Sequence, residues 1–164
     1  MQYIKAWIDG SCEPMNPGGN MGWGVHIEIE GQALDYAESI RKDPKNTSNV
    51  AEYLALIKLL SELQNIVQPT MVIVSSDSAM LVNQMNKRWR IKKGSYAETA
   101  YRALIDINNL RNLGYSFEFH WIPREENEIA DRLSKSFSNY THSDSIRKSS
   151  PWRDNTSSTD SLSS

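Results

Sequence analysis

The fold is decided by residues 70–77, which read TMVIVSSD. This short apolar run ends in an acidic residue, and it is typical of a central β-strand buried on both faces of a sheet. Before it, apolar residues recur at helical spacing over residues 50–60, and two further helical stretches follow at residues 78–86 and 95–112. A buried strand that lies between helices predicts an α/β fold.

Three more strands precede this part of the chain. Residues 2–8 form an apolar run that leads directly to Asp9, and residues 21–30 alternate between apolar and polar side chains. Residues 32–40 complete the group, with Gly31 in the connecting turn. Consecutive short strands joined by turns predict a three-stranded antiparallel meander.

The C-terminal part of the pattern contains one strand and one helix. Residues 115–122 alternate, with aromatic side chains on one face, and residues 124–137 follow with helical spacing. The complete order is therefore β-β-β-α-β-α-α-β-α. It predicts a mixed five-stranded sheet, in which the antiparallel meander is joined by parallel strands and flanked by helices.

Composition divides the chain into a domain and a tail. The 164 residues are enough for one domain, and residues 1–138 carry the apolar periodicity. Residues 139–164 are rich in Ser, Thr and Asp. Such a segment cannot bury enough apolar surface to offset the entropy of ordering, so we expect this tail to be disordered.

Cysteine content and charge exclude several classes of protein. The single cysteine, Cys12, excludes an intramolecular disulfide and a multi-cysteine zinc site. No apolar run is long enough to span a membrane and no signal peptide is visible, so we expect a cytoplasmic protein, and a monomer. The formal net charge of −2 argues against a generally basic surface, and binding of a polyanion must therefore depend on a local patch.

Four acidic residues occupy positions that suit one shared site. Asp9 and Asp77 each follow an apolar strand, while Glu52 and Asp131 lie early in their helices. Singly, each has an ordinary explanation, since Asp is common in turns and acids are favoured in the first helical turn. If the two strands are parallel neighbours, all four carboxylates converge without neutralising partners. Such a cluster suits Mg²⁺ or Mn²⁺ and predicts metal-assisted phosphodiester hydrolysis.

Basic residues are concentrated in one place. Residues 87–93, here called the basic segment, place Lys87, Arg88, Arg90, Lys92 and Lys93 around Trp89. Phosphate contacts dominate nucleic-acid affinity and a flat aromatic ring packs well against a sugar, so we favour a nucleic-acid-binding role. The alternative is a solvated loop in which Trp89 covers the edge of the core.

Four motifs together resemble a known family. They read DGSCEPMNPGG (residues 9–19), TSNVAEYLAL (47–56), VSSDSAMLVNQM (74–85) and WIPREENEIADRLS (121–134). In this order they resemble the type 1 ribonuclease H family over nearly all of residues 3–137. The resemblance implies the RNase H-like fold and an endonuclease that hydrolyses the RNA strand of RNA–DNA hybrids, leaving 5′-phosphate and 3′-hydroxyl ends. It also implies two Mg²⁺ ions, with Mn²⁺ as a substitute, held by Asp9, Glu52, Asp77 and Asp131.

The same resemblance implies a set of substrate contacts. Cys12, Asn16 and Asn49 fall where the family touches the minor groove of the hybrid, including the 2′-hydroxyl that separates RNA from DNA. Thr47 falls where the family contacts a DNA phosphate. Structural alternatives exist: Asn49 as a helix cap, Cys12 as a packing residue and Asn16 as part of a turn. The complete set of implied contacts is Gly10, Ser11, Cys12, Asn16, Thr47, Asn49, Lys87, Arg88, Trp89 and Arg90.

The segment before the last helix departs from the bacterial pattern. Bacterial members usually carry a Gly-His loop there, whereas residues 120–128 read HWIPREENE and resemble the His-less "PRE" variant of archaeal and plant-type relatives. Two residues are therefore candidates for an accessory role. His120 is expected in the strand, turned away from its aromatic face. Arg124 either pairs with Glu125 or Glu128, or reaches a phosphate.

Two alternative functions stay open at this level. A catalytically weak hybrid-binding module would keep the fold but lose turnover together with the histidine loop; the presence of all four acids disfavours it. A DNA nuclease of the same fold is disfavoured by the positions that read the 2′-hydroxyl.

Overall fold

The computed structural model describes residues 3–66 and 68–136. It confirms the predicted order of strands and helices, with one short 3₁₀ turn (Arg124–Glu126) added before the last helix. The predicted domain boundary at residue 138 and the tail of residues 139–164 lie outside the described residues. The elements are β1 Tyr3–Glu13, β2 Asn20–Ile29, β3 Gln32–Ile40, α1 Ser48–Leu63, β4 Met71–Ser76, α2 Ala79–Met85, α3 Ala97–Asn112, β5 Ser116–Trp121 and α4 Glu128–Ser134.

The five strands form one mixed sheet, in the order β3-β2-β1-β4-β5. β1 pairs with β2, and β2 with β3, in antiparallel register. β4 lies parallel to β1 on one side and to β5 on the other. This arrangement confirms the predicted meander and the parallel strands added to it.

Helices cover both faces of the sheet. α1 packs on β1 and β2 and is itself covered by α3, whereas α4 packs on β1, β2 and β3. A Cβ atom at Gly10 would point into α1, and one at Gly24 would point into α4. Gly10 pairs with Trp23, the neighbour of Gly24, so the two helices lie on opposite faces. Among the described residues, no helix has the length and apolar character needed to cross a membrane.

Two element boundaries differ from the prediction. β1 continues to Glu13 rather than ending before Asp9, because β2 remains paired with it as far as Asn20. The last helix was predicted from residue 124 but begins at Glu128, because Asn127 leaves the helical backbone conformation (φ −110°, ψ 35°). The first difference places Asp9 inside a strand, and the second separates Arg124 from α4.

Candidate active site

Asp9 and Asp77 lie side by side beyond the last paired residues of two parallel strands. The register of β1 with β4 ends at Ile8 and Ser76, and the next residue of each chain segment is the aspartate. The crevice beyond the carboxyl ends of parallel strands is the usual ligand site of such sheets. The predicted neighbourhood of these two acids is therefore confirmed, although Asp9 stays in the strand through its pairing with Gly24 of β2.

Glu52 reaches the same place because α1 approaches β1 very closely. A Cβ atom at Gly10 would lie 2.3 Å from the backbone nitrogen of Glu52 and 2.4 Å from the carbonyl carbon of Ala51. Only glycine permits this approach. The Gly10 backbone N–H also hydrogen bonds to the Glu52 carboxylate. The glycine after Asp9 thus determines where the glutamate lies.

Three carboxylates meet at this point. Asp9, Glu52 and Asp77 each offer an oxygen atom within 4.8 Å of the others, and we call them the carboxylate cluster. Glu52 is buried, and its Oε2 has no hydrogen-bond partner among the described residues. Ser134 of α4 donates from Oγ to Asp9 Oδ2 at 3.3 Å. An unpartnered buried carboxylate oxygen beside two further acids is the donor set that a hard divalent cation prefers.

The cluster is electrostatically strained without a cation. Burial, followed by the charge of Asp77 and the nearby Asp131 carboxyl, raises the pKa of Asp9 to about 7, although a hydrogen bond with Glu52 lowers it. Burial and the charges of Asp9 and Asp77 raise the pKa of Glu52 well above its usual range. Burial also raises the pKa of Asp77, although Arg124 opposes this. Each of the three carboxylates is therefore harder to ionise than a free one, and a bound cation would favour the ionised forms.

Asp131 borders the cluster but differs from it in its partners. Its Oδ1 lies 3.6 Å from Arg124 Nη2 and 3.3 Å from Lys135 Nζ. The expectation of four acids without neutralising partners is therefore wrong for Asp131. One alternative for Arg124 was a pair with Glu125 or Glu128, whereas the ion pair observed is with Asp131.

Asn127 joins α4 to the strand that carries Asp9, a role that the sequence did not reveal. It is 1% exposed, and its Nδ2 donates to the carbonyl oxygen of Ile8 at 2.9 Å. The N–H of Asp131 in turn donates to the Asn127 carbonyl at 3.0 Å. The available signal was an asparagine inside the helix predicted over residues 124–137, a position where this residue type is unfavourable.

An open cavity of about 460 Å³ lies in front of the carboxylates. Its wall includes Gly10, Ser11 and Cys12 of β1, all of which the sequence had assigned to substrate binding. Trp121 and Arg124 line it as well. Arg124 had been predicted as an accessory residue, whereas Trp121 had been assigned only to the aromatic face of its strand.

Comparison with known proteins now identifies the family. A family model described as reverse transcriptase-like matches residues 8–137. A ribonuclease H of Chlorobium chlorochromatii is 30% identical over 107 residues, which are 64% of this chain and 68% of the relative. The chain belongs to the type 1 ribonuclease H-like family. A bifunctional protein of Mycobacterium tuberculosis is 32% identical over 119 residues, which are 73% of this chain but only 31% of the length of that protein.

Solved structures agree with this family. The N-terminal RNase H domain of the same mycobacterial protein has a TM-score of 0.69 and 26% identity, covering 82% of this chain and 97% of the domain. LC11-RNase H1, solved in complex with an RNA/DNA hybrid, has a TM-score of 0.64 and 32% identity, covering 79% of this chain and 92% of its own. The predicted RNase H-like fold is therefore confirmed.

Thr47, Asn16 and Cys12, three of the predicted substrate contacts, have hydrogen-bond partners within the protein, whereas Asn49 differs from them. Thr47 caps α1, accepting a hydrogen bond from the backbone N–H of Val50 at 3.1 Å. Asn16 donates from Nδ2 to Ser48 Oγ at 2.7 Å, and its Oδ1 accepts from the Ser48 N–H at 3.1 Å. Cys12 is buried, with Sγ 3.1 Å from the Met15 carbonyl oxygen. Asn49 is exposed and does not cap the helix, so its capping alternative is wrong.

His120 lies on β5, as strand alternation predicted. Its side chain is 52% exposed, and Nε2 lies 2.9 Å from Glu118 Oε1. It does not line the cavity, whereas Arg124 does. Of the two accessory candidates, the structure brings only Arg124 to the carboxylates.

The basic segment is a well-anchored loop outside the cavity. Trp89 is 53% exposed, so more than half of its surface faces solvent. Gln84 donates from Nε2 to the Arg90 carbonyl oxygen at 3.0 Å, and the Tyr53 hydroxyl donates to Gln84 Oε1 at 2.5 Å. Because Tyr53 follows Glu52 in α1, the loop is tied to the helix that forms the site.

Proposed function

We propose that this chain is an endoribonuclease that cuts the RNA strand of RNA–DNA hybrids. The observation that carries the proposal is the buried carboxylate cluster with an unpartnered Glu52 oxygen, open to a cavity beside Asp131. Relatives named ribonuclease H, and a neighbouring structure solved with an RNA/DNA hybrid, support this substrate class.

The cofactor in this proposal is Mg²⁺, as two ions, with Mn²⁺ as a substitute. Asp9, Glu52 and Asp77 would hold the metal, and Asp131 lies beside them. The all-oxygen donor set, the orphaned Glu52 oxygen and the raised pKa values fit a hard divalent cation. When bound, such ions polarise the phosphate and lower the pKa of a bound water.

The chain positions the reacting groups through its own hydrogen bonds. Ser134 orients the Asp9 carboxylate, and the Gly10 N–H orients that of Glu52. Arg124 lies on the cavity wall, where its guanidinium is available to a phosphate oxygen. Attack of water on phosphorus breaks the P–O3′ bond, and the 3′ oxygen takes up a proton. The products are a 5′-phosphate and a 3′-hydroxyl.

The remaining proposed contacts bind the hybrid at a distance from the cleaved phosphate. Exposed Asn49 and the Asn16 side chain, which lies at the start of α1, read the minor groove. Thr47 and the basic segment contact phosphates of the DNA strand. Their positions outside the cavity suit contacts that position a substrate rather than react with it.

One assay separates this function from its alternatives. Labelled hybrid, duplex DNA, duplex RNA and single strands are each incubated with Mg²⁺ or Mn²⁺. Cleavage confined to the RNA of the hybrid is the expected result. Binding of the hybrid without cleavage in either metal would identify a binding module, and cleavage of duplex DNA would identify a DNA nuclease. The monomeric state, the cytoplasmic location and the "PRE" assignment stay predictions.

A further inference from the structure

Trp121 stands out among the aromatic residues of β5. Strand alternation placed it with Tyr115, Phe117 and Phe119, of which Tyr115 and Phe119 are buried in the core and Phe117 is packed against it. Trp121 is instead 54% exposed and lines the cavity in front of the carboxylates. β5 ends at this residue. A large apolar ring is therefore left in contact with solvent at the proposed active site.

The ring is held in place by its only polar atom. Trp121 Nε1–H donates to the backbone carbonyl of Asp77 at 3.2 Å. The strands support this contact, since Trp121 pairs with Ser76 and the Ile122 N–H donates to the Ser76 carbonyl at 3.0 Å. With its N–H satisfied by the protein, the indole has only apolar surface left to offer a ligand.

We propose that Trp121 is a substrate-binding residue whose indole packs against the nucleoside next to the cleaved phosphate, on the strand that is cut. This inference rests on the proposed ribonuclease function and adds a contact to it. The hydrogen bond of Trp121 indicates which nucleic-acid strand its ring contacts. Trp121 is hydrogen bonded to Asp77 itself, so its ring is beside the nucleic-acid strand whose phosphate meets the carboxylates. Arg124, three residues further on, supplies a charge for the phosphate at the same wall.

Kinetics with matched variants provide the first test. Aromatic packing on a nucleoside contributes roughly a tenfold gain in affinity, so Trp121→Ala should raise KM for the hybrid by about that factor. Trp121→Phe should lie between wild type and alanine, because it keeps a ring but loses the anchoring N–H. Tyr101 is also 54% exposed, on α3 and outside the cavity, so Tyr101→Ala is the matched control and should leave KM unchanged.

A double-mutant cycle shows whether Trp121 contacts the RNA strand or the DNA strand of the hybrid. A propanediol spacer replaces one nucleotide beside the cut, keeping the phosphate backbone but removing base and ribose ring. Affinity is measured by fluorescence anisotropy without divalent metal, for wild type and Trp121→Ala. A spacer in the RNA strand should weaken wild type by roughly tenfold more than the variant, because the variant has already lost the contact. A spacer at the facing DNA position should weaken both equally.

The outcomes distinguish this inference from the ribonuclease function. An unchanged KM for Trp121→Ala, no coupling in the cycle, or coupling only with the DNA-strand spacer would each overturn the Trp121 contact while leaving ribonuclease activity in place. If wild type binds the hybrid without cutting it, the ribonuclease function fails, and the binding cycle still decides the contact. If wild type does not bind the hybrid, both are overturned.

Discussion

At the scale of single residues, the site is defined by charges placed where water cannot screen them. Asp9 and Glu52 are 4% and 7% exposed, and Asp77 is half-buried beside them. Two like charges a few ångströms apart in such a place repel each other by about 1–4 kcal/mol. The same repulsion that costs stability is what a divalent cation of the proposed kind would relieve.

Replacing one acid separates the effect of the carboxylates on stability from their effect on cation binding. Asp77→Asn removes a metal-ligand charge and should abolish hybrid cleavage in Mg²⁺. In metal-free buffer the same change removes repulsion from Asp9 and Glu52, so the free energy of unfolding should rise by about 1 kcal/mol or more. Cleavage assays and thermal unfolding with and without Mg²⁺ measure both effects.

Asp106→Asn is the matched control for this change. Asp106 is also half-buried, but it lies on α3 and does not line the cavity. Its substitution should leave both cleavage and the effect of Mg²⁺ on unfolding unchanged. Full activity of Asp77→Asn would remove Asp77 from the proposed metal site.

At the scale of elements, the contact between α1 and β1 matters most. Gly10→Ala would place a methyl group 2.3 Å from the Glu52 backbone nitrogen, and backbone atoms cannot move aside as a flexible side chain can. Overpacking of this kind typically costs about 1–3 kcal/mol. We expect a lower melting temperature together with a loss of hybrid cleavage, since Glu52 must shift with its helix.

The control for this prediction is Gly94→Ala. A Cβ atom there would meet only the ring of Tyr96, at 3.2 Å from Cε1, which is tighter than usual but not a backbone clash. A small change in melting temperature and near-normal cleavage are expected. Equal destabilisation by the two substitutions would show that the α1–β1 approach at Gly10 is not the cause.

The basic segment allows a prediction at the same scale. Arg88 is exposed in this loop, and a phosphate contact that releases a counterion steepens the fall of log affinity with log salt by roughly 0.7–0.9. Arg88→Gln should therefore weaken hybrid binding at low salt and reduce the slope of a salt titration by about one. Arg102→Gln, at an exposed position of α3, should change neither quantity; an Arg88 slope equal to wild type would contradict the assigned role.

At the scale of the whole molecule, stability should depend on pH through the buried acids. Burial and the neighbouring acids raise the pKa of Asp9 to about 7 from 3.8, and the pKa values of Glu52 and Asp77 are raised as well. At pH values between the ordinary and the raised pKa of such an acid, the folded state binds more protons than the unfolded state, so stability falls as pH rises. The Asp9 shift alone predicts a loss of about 2–3 kcal/mol between pH 5 and pH 8 without metal.

Mg²⁺ provides the internal control for the pH experiment. His26 is a second source of pH dependence: burial opposes its charge, but hydrogen bonds with Asp35 and Glu28 raise the pKa of His26, so its contribution to stability also falls with rising pH. Saturating Mg²⁺ should remove the part of the pH dependence that comes from the carboxylates and leave the His26 part. Denaturant unfolding at several pH values measures this, and an unchanged slope in Mg²⁺ would contradict metal binding by the cluster.

Much of this architecture was predictable because its signals are local. The limits of β3 were predicted as residues 32–40, and helical spacing located α1 and α3 to within a few residues. Periodicity reports which face of an element is buried, and this information lies within one segment of chain. The acids at two strand ends and early in two helices were found in the same way.

The rest could not be predicted, because it depends on contacts between distant parts of the chain. β1 is extended by its partner β2, and Asn127 bonds to Ile8 across 119 positions of sequence. The partners of Asp131 depend on where α4 begins, and that start depends on the same Asn127. Pattern analysis contains no information about such pairs until the order of strands is known.

The sequence by itself therefore determined the elements, their order and the acidic residues proposed as metal ligands, because periodicity and residue chemistry are local properties. Only the tertiary structure decided which of those acids form the carboxylate cluster, which one is paired with Arg124 and Lys135, and that Trp121 opens onto the cavity rather than the core. These outcomes follow from strand order and helix docking, which bring together side chains as far apart in sequence as Asp9 and Asp77.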